Sequence, residues 1–201
     1  MAGICIFAAS SPKIDNKYIA AAESFGRCLA ERGFDLIFGG GRTGLMGACA
    51  RGVYSKGGRI VGVIPEKLNQ PGIAFEHCSE IIVTRDMHER KATMERLSGG
   101  FVTLPGGVGT LEELMEVLTL NQLGYIDAPV VIFNQDGFYD NLLAQFNALA
   151  EAGFMHTECL KLFSVADTPE GTIEKLVGFR RAKLPDKIKE AVKGHEEQGA
   201  G

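Results

Sequence analysis

The chain alternates between short apolar runs and longer amphipathic segments. The apolar runs, which are typical of strands, cover 3–9, 34–38, 59–64, 100–104, 129–133 and 162–166, with a shorter candidate at 80–84. Helical spacing covers 16–32, 44–56, 87–98, 110–123, 138–151 and 169–178. In 110–123, for example, apolar residues recur at the spacing of one helix face, at Leu111, Leu114, Met115 and Leu118.

Most of these predicted strands are apolar throughout and do not alternate with polar residues, which indicates burial on both faces. Together with the β-α-β-α order, this predicts an α/β fold: a doubly wound, Rossmann-like, mostly parallel sheet with helices on both faces. We predict a single nucleotide-binding catalytic domain over 1–178, with a loop at 65–79. A polar tail follows over 179–201, with a short helix over 185–193.

Composition narrows the possible partners and compartment. The formal net charge of −4 disfavours a broad nucleic-acid surface, because the phosphate backbone is repelled. No run is long and apolar enough for a membrane span, and no secretory signal is apparent, so we predict a cytoplasmic protein. The five cysteines are widely spaced, so we predict neither a disulfide framework nor a metal site.

A first glycine-rich loop, 39–47, follows the predicted strand 34–38. It contains G-x-G-x-x-G at Gly39, Gly41 and Gly44, and the acidic Glu66 follows about 20 residues later, as in a dinucleotide fingerprint. The fingerprint normally follows the first strand of its unit, however, and this loop follows the second. A tight turn with close helix–sheet packing and a nicotinamide-dependent enzyme both remain open as alternatives.

A second glycine-rich loop, 105–110, follows the strand 100–104 and precedes a predicted helix. Free N–H groups at a helix N-terminus suit a phosphate, and Thr110 can add a hydroxyl donor. No Lys-Ser/Thr pair follows, so this is not a P-loop. Considered alone, Thr110-x-x-Glu113 also fits a capping box, as does Asp86-x-x-Glu89 at the preceding helix.

Arg90 and Lys91 fall in the first turns of that preceding helix. Cations there face the positive end of the helix dipole, which is unfavourable by a few tenths of a kcal/mol or more. A bound anion or a carboxylate partner would resolve this. The alternative is a solvated surface pair.

Two of these segments together resemble a known family. Met87-His88-Glu89-Arg90-Lys91 and Pro105-Gly106-Gly107-Val108-Gly109-Thr110-Leu111-Glu112-Glu113 match the paired signatures M-H-x-R-K and P-G-G-x-G-T-x-x-E of the LONELY GUY (LOG) phosphoribohydrolases. The loop 39–47 is also typical of the family, and the resemblance runs over about 3–178.

The resemblance implies cleavage of a cytokinin riboside 5′-monophosphate, or of AMP, to the free base and ribose 5-phosphate. It also implies a homodimer with the site near the interface, and no cofactor. The family's essential arginine and glutamate correspond to Arg90 and Glu113. Substrate contacts are expected at Met87, Lys91, Gly107, Val108, Gly109, Thr110, Leu111, Glu112, Thr119 and Gly41.

The loop 65–79 departs from the plant members of the family. Where those proteins place a ligand-contacting glutamate, this chain has Gly72, which leaves open the preference for a prenylated base or plain adenine. Relatives of this kind are often labelled lysine decarboxylases, but no lysine here lies in a pyridoxal-phosphate context. The remaining alternative is a non-catalytic carrier of a nucleotide or phosphorylated cofactor on the same fold.

As a mechanism, we expect Glu113 to orient or deprotonate the attacking water and to stabilise the positive charge that develops on the sugar. Arg90 would keep Glu113 ionised, because a nearby cation lowers the pKa of a carboxylate. Gly107, Gly109 and Thr110 would hold the 5′-phosphate.

Overall fold

The computed structural model describes residues 3–181 of the 201-residue chain. The predicted helix over 185–193 and most of the predicted tail lie outside the described residues. The strands form one sheet in which every described pair is parallel. They are β1 (Gly3–Phe7), β2 (Asp35–Phe38), β3 (Ile60–Pro65), β4 (Glu80–Thr84), β5 (Ser98–Thr103), β6 (Val130–Phe133) and β7 (Ser164–Ala166).

The helices connect these strands and cover the sheet on both sides. They are α1 (Asn16–Glu31), α2 (Gly44–Ser55), α3 (Met87–Arg96), α4 (Val108–Leu123), α5 (Asp140–Glu151) and α6 (Pro169–Val177). None of the helices within residues 3–181 is long and apolar enough to cross a membrane.

Alternate residues of β1 contribute to two separate cores, as expected for side chains that point to opposite faces of a strand. Ile4 and Ile6 pack in a cluster with side chains of α1, α2 and α6. Cys5 and Phe7 pack in a second cluster with side chains of α3, α4 and α5. The predicted doubly wound architecture, with helices on both faces, is therefore confirmed.

The strand order is β4-β3-β2-β1-β5-β6-β7, so the direction of winding reverses between β1 and β5. The loops after these two strands meet, since the Ala9 N–H donates to the Pro105 carbonyl at 3.2 Å. In sheets of this kind a crevice opens beyond the carboxyl ends of the strands at the reversal, and ligands bind there.

Both edges of the sheet are less buried than their apolar sequences predict. Ile81 and Val83 of β4 are exposed, because an edge strand lacks a neighbour and full helix cover. The last strand is shorter than predicted, since a 3₁₀ helix over Thr157–Leu162 takes its first residues. The 65–79 segment is mainly loop, as predicted, but it contains a short 3₁₀ helix, Glu66–Leu68.

The two predicted capping boxes differ in outcome. Asp86 caps α3 as predicted, with its side chain accepting from the Glu89 N–H at 2.9 Å. The box at α4 is wrong, because the helix begins at Val108 with Gly107 as its N-cap residue. Thr110 therefore lies inside the first turn, and Glu113 is free to make a different contact.

Candidate active site

A cavity of about 530 Å³ opens at the reversal between β1 and β5. Its walls come from the loops after β1, β2, β3 and β5 and from the first turns of α3 and α4. Its lining residues are Ala8, Ala9, Ser10, Ser11, Gly39, Gly41, Thr43, Met46, Ile64, Leu68, Ile73, Met87, Arg90, Gly107, Gly109, Thr110, Glu112 and Glu113.

Arg90 and Glu113 form a buried ion pair in this cavity. Arg90 Nη1 lies 3.1 Å from Glu113 Oε1, and the side chains are only 8% and 9% exposed. Arg90 Nε also donates to the Val63 carbonyl of β3 at 3.1 Å, which fixes the plane of the guanidinium. The carboxylate thus supplies the partner that a cation at the start of α3 requires.

Gly39, at the end of β2, makes this position of Arg90 possible. A Cβ at residue 39 would lie 1.7 Å from Arg90 Nη2, so any larger residue would displace the guanidinium. The first glycine of the apparent dinucleotide fingerprint therefore provides space for a side chain.

Where the first glycine loop enters α2, backbone contacts from other segments close it. At the start of α2, the Met46 N–H donates to the Ala9 carbonyl at 3.2 Å, and the Arg42 N–H donates to the Ile73 carbonyl at 2.9 Å. Gly44 has φ +63°, and a Cβ there would lie 2.4 Å from the same Ala9 carbonyl. The loop is therefore a tight turn with close backbone packing, which argues against a pyrophosphate at this helix.

The second glycine loop has the opposite character. No side chain caps α4, and the same holds for α2 and α5, whereas Asp15, Asp86 and Thr168 cap α1, α3 and α6. A Cβ at Gly107 or at Gly109 would meet nothing within 4 Å. The N–H groups of Gly107, Val108 and Gly109 also donate no hydrogen bond within the described residues, so they are available to bind a phosphate.

Thr110 belongs to the same wall of the cavity. Its side chain packs over Gly106, where a Cβ would lie 2.2 Å from Thr110 Oγ1. Thr110 is itself buried, and its hydroxyl lies over Gly106, at the start of the turn that leads into α4.

The structure divides the substrate contacts expected from the sequence into two sets. Those that line the cavity with Arg90 and Glu113 are Gly41, Met87, Gly107, Gly109, Thr110 and Glu112. Those that do not line it are Lys91, Val108, Leu111 and Thr119. Thr119 is exposed further along α4, where its hydroxyl donates to the Met115 carbonyl at 2.8 Å. The ammonium group of Lys91 pairs with Glu112 and Glu116 of α4.

Several lining residues are not assigned by the sequence, which leaves open whether Ser10 contacts ligand. Ser10 and Ser11 follow β1, and the pairing of Ala9 with Pro105 places Ser10 next to the 105–110 loop. The signal was present, because this segment follows the first strand of a doubly wound sheet. Leu68 and Ile73 come from the loop after β3, where no periodicity marks them.

Burial controls the ionisation of Glu113. Loss of solvent and the nearby Glu112 raise the pKa of Glu113 above its ordinary value of 4.5, while Arg90 and Lys91 oppose the rise. Arg90 lowers the pKa of Glu113, as predicted, but the cost of burying the charge is larger, so the net shift is upward. Below this pair, burial and the charge of Glu113 also raise the pKa of Cys5.

Two further observations limit the chemistry of the site. Within residues 3–181, no group of three or more His, Cys, Asp or Glu side chains is arranged to hold a metal ion. The cavity lining also contains no lysine, the residue that forms the Schiff base in pyridoxal-phosphate enzymes.

Solved structures share this fold. The molybdenum cofactor binding protein from the phototrophic bacterium Rippkaea orientalis has a TM-score of 0.67 at 22% identity, over 89% of this chain and 97% of that one. The structure of TM1055 has a TM-score of 0.71 at 21% identity, over 89% and 100%. At these identities the likeness shows the fold alone.

Sequence relatives are closer. A family model described as "Possible lysine decarboxylase" matches residues 46–176. The probable cytokinin riboside 5′-monophosphate phosphoribohydrolase LOGL6 of Oryza sativa subsp. japonica is 42% identical over 176 residues, 88% of this chain and 70% of the rice protein. The phosphoribohydrolase LOG4 of Arabidopsis thaliana is 42% identical over 173 residues, 86% of this chain and 82% of the plant protein. The chain therefore belongs to the LOG family.

Proposed function

We propose that this protein is a hydrolase of the N-glycosidic bond of a cytokinin riboside 5′-monophosphate, AMP or both, with the free base and ribose 5-phosphate as products. The names of its relatives support this assignment. The observation that carries it is the presence of the Arg90–Glu113 pair and the uncapped start of α4 in one cavity. One cavity thus offers both an ionisable carboxylate and a phosphate seat, defined as the open amides at the start of α4 together with the Thr110 hydroxyl.

In the proposed mechanism, the 5′-phosphate binds the first amides of α4 and the Thr110 hydroxyl. The Glu113 carboxylate takes a proton from a water molecule, whose oxygen attacks C1′ of the ribose. The C1′–N9 bond breaks, and its electron pair leaves with the purine, which takes up a proton. Glu113 also stabilises the positive charge that develops on the sugar, and a raised pKa suits a general base that works near neutral pH.

The apolar part of the cavity lining is suited to the base. It consists of Met46, Ile64, Leu68, Ile73 and Met87. Gly72 lies in the same loop, and a Cβ at this position would meet nothing within 4 Å. The base therefore contacts apolar side chains, and an apolar substituent on adenine is compatible with this end.

We also infer a homodimer in which α4 forms the interface. Thr119 corresponds to a ligand-binding position of the family, yet it lies away from the cavity of its own chain. The same helix exposes Val108, which is 85% exposed, and Leu123 near its other end. Antiparallel contact of two α4 helices would place Thr119 of a second copy near the start of the first. Light scattering at micromolar concentration tests this, and a monomeric mass would contradict it.

We infer that the protein acts in the cytoplasm on a small nucleotide, without a nucleic-acid or membrane partner. Within the described residues, no disulfide joins any two of Cys5, Cys28, Cys49, Cys78 and Cys159, which fits a reducing compartment. The negative net charge is unfavourable for binding a phosphate backbone.

The decisive experiment is product analysis. The protein is incubated with AMP, prenylated AMP, GMP and CMP, and free base and ribose 5-phosphate are measured by chromatography. Adenosine serves as the control substrate, because it lacks the phosphate that α4 would bind. We expect release of adenine or prenyladenine from the monophosphates and little from adenosine. Nucleotide binding without any release would contradict the hydrolase and favour a carrier.

A further inference from the structure

Lys91 occupies an unusual position for a residue expected to bind substrate. It follows Arg90 directly on α3, but its side chain does not line the cavity. The side chain is only 12% exposed, and its ammonium group pairs with Glu112 and, at 2.8 Å, with Glu116. Burial alone would lower the pKa of Lys91, but these two hydrogen bonds outweigh it and raise that pKa.

The carboxylates around Lys91 are more numerous than the cations. Glu112 and Glu116 lie one turn apart on α4, and Glu95 lies one turn beyond Lys91 on α3. Burial and the charge of Glu116 raise the pKa of Glu95, whereas Lys91 lowers it. Within the described residues, Lys91 is the only cation that pairs with Glu112 or Glu116, and the only one that lowers the pKa of Glu95.

Glu112 connects this cluster to the chemistry. It lines the cavity beside the open amides of α4, where a free carboxylate would repel a phosphate dianion. The charged groups that act on Glu113 are Arg90 and Lys91 from α3, Glu112 on its own helix, and the neighbouring Cys5 of β1. Glu112 disfavours ionisation of Glu113, and Lys91 favours it.

We propose that Lys91 is a positioning residue that acts through Glu112 and is not a substrate ligand. It joins α3 to α4, holds Glu112 away from the phosphate seat and neutralises it, and so leaves Arg90 to pair with Glu113 alone. This inference rests on the proposed hydrolysis, since the site it serves is the same.

The test is a double-mutant comparison of Lys91→Met, Lys91→Met/Glu112→Gln and Lys91→Arg, with kcat and KM for AMP measured against pH. Lys91→Met should lower kcat/KM by roughly 10-fold and move its acid limb to higher pH, because Glu112 is then uncompensated. Adding Glu112→Gln should restore most of the activity and return the acid limb of kcat/KM to its wild-type pH. Lys91→Arg, which keeps the charge, should retain most of the activity.

Lys56→Met is the matched control, because Lys56 forms a surface pair with Glu31 at 2.6 Å far from the cavity. It should leave kcat/KM and the pH profile unchanged. If Lys91 contacted the phosphate directly, Lys91→Met would raise KM without moving the acid limb, and Glu112→Gln would not restore activity. That result overturns the inference. Failure of the wild-type protein to release any base would instead overturn the proposed function.

Discussion

Arg90 and Glu113 lie on the first turns of two helices that flank β5. Arg90 Nη1 lies 3.1 Å from Glu113 Oε1, and the guanidinium packs against Gly39. The contact between Arg90 and Glu113 joins the two sequence signatures of the family, which are separated in the chain by the rest of α3 and by β5. Both side chains are nearly excluded from solvent, so removing either would leave a buried charge without its partner, at a cost of about 3–5 kcal/mol.

Replacing Glu113 by Gln keeps the shape of the side chain and removes the base. We expect kcat for AMP to fall by about 10²–10⁴-fold, while the phosphate seat on α4 continues to bind nucleotide. Turnover by rapid-quench assay and AMP affinity by calorimetry measure the two effects separately. If this variant released adenine at the wild-type rate, Glu113 would have no part in the mechanism.

Gly39→Ala tests the close approach between β2 and the guanidinium. The new Cβ would lie 1.7 Å from Arg90 Nη2, so Arg90 must move and its contact with Glu113 is lost. A displacement of about 1 Å in a catalytic group costs roughly 100-fold in rate, and we expect a loss of kcat/KM on that scale. Thermal unfolding separates this from a failure to fold. A folded variant with full activity would show that the position of Arg90 is unimportant.

The pH profile should reflect the burial of Glu113. The pKa of this carboxyl is raised above 4.5, so its ionised form is lost as the pH falls through a value higher than that of an exposed glutamate. If ionised Glu113 is the base, the acid limb of kcat/KM for AMP should lie above pH 4.5. Kinetics between pH 4 and pH 8 measure it. A limb at or below 4.5 would mean that another group controls activity.

Ser10→Ala tests the wall of the cavity that the segment after β1 forms. Ser10 lies beside the 105–110 loop, and its hydroxyl makes no hydrogen bond within the described residues. A hydroxyl that bonds a charged phosphate contributes about 10-fold in affinity, so we expect KM for AMP to rise by about that factor. Ser55→Ala, at the far end of α2, is the control and should not change KM. Equal KM values for both variants would place Ser10 outside the phosphate site.

Much of the fold follows from hydrophobic patterning alone. All seven strands and all six longer helices fall where apolar runs and helical spacing place them. The pairing of Arg90 with a carboxylate could also be predicted, since cations at the start of a helix need a partner. The ends of the helices and strands were harder to predict. The start of α4, for example, depends on the backbone conformation of Gly107, and no capping side chain in the sequence marks it.

The roles of single residues within motifs could not be predicted from spacing. Arg90 and Lys91 are adjacent in the chain, yet one points into the cavity and the other to Glu112 and Glu116. Successive residues of a helix point in directions about 100° apart, so their partners depend on where the next helix packs. Gly39 matched a nucleotide motif, but its function is to make space for a side chain.

The Ala9 carbonyl closes one of the two glycine turns, and the other turn stays accessible. Of these two turns, only the second therefore leaves main-chain amides open to an oxyanion. The main chain thus provides one anchoring point for a phosphate beside Glu113, and the first turn shapes the wall of the cavity without adding a second anion site.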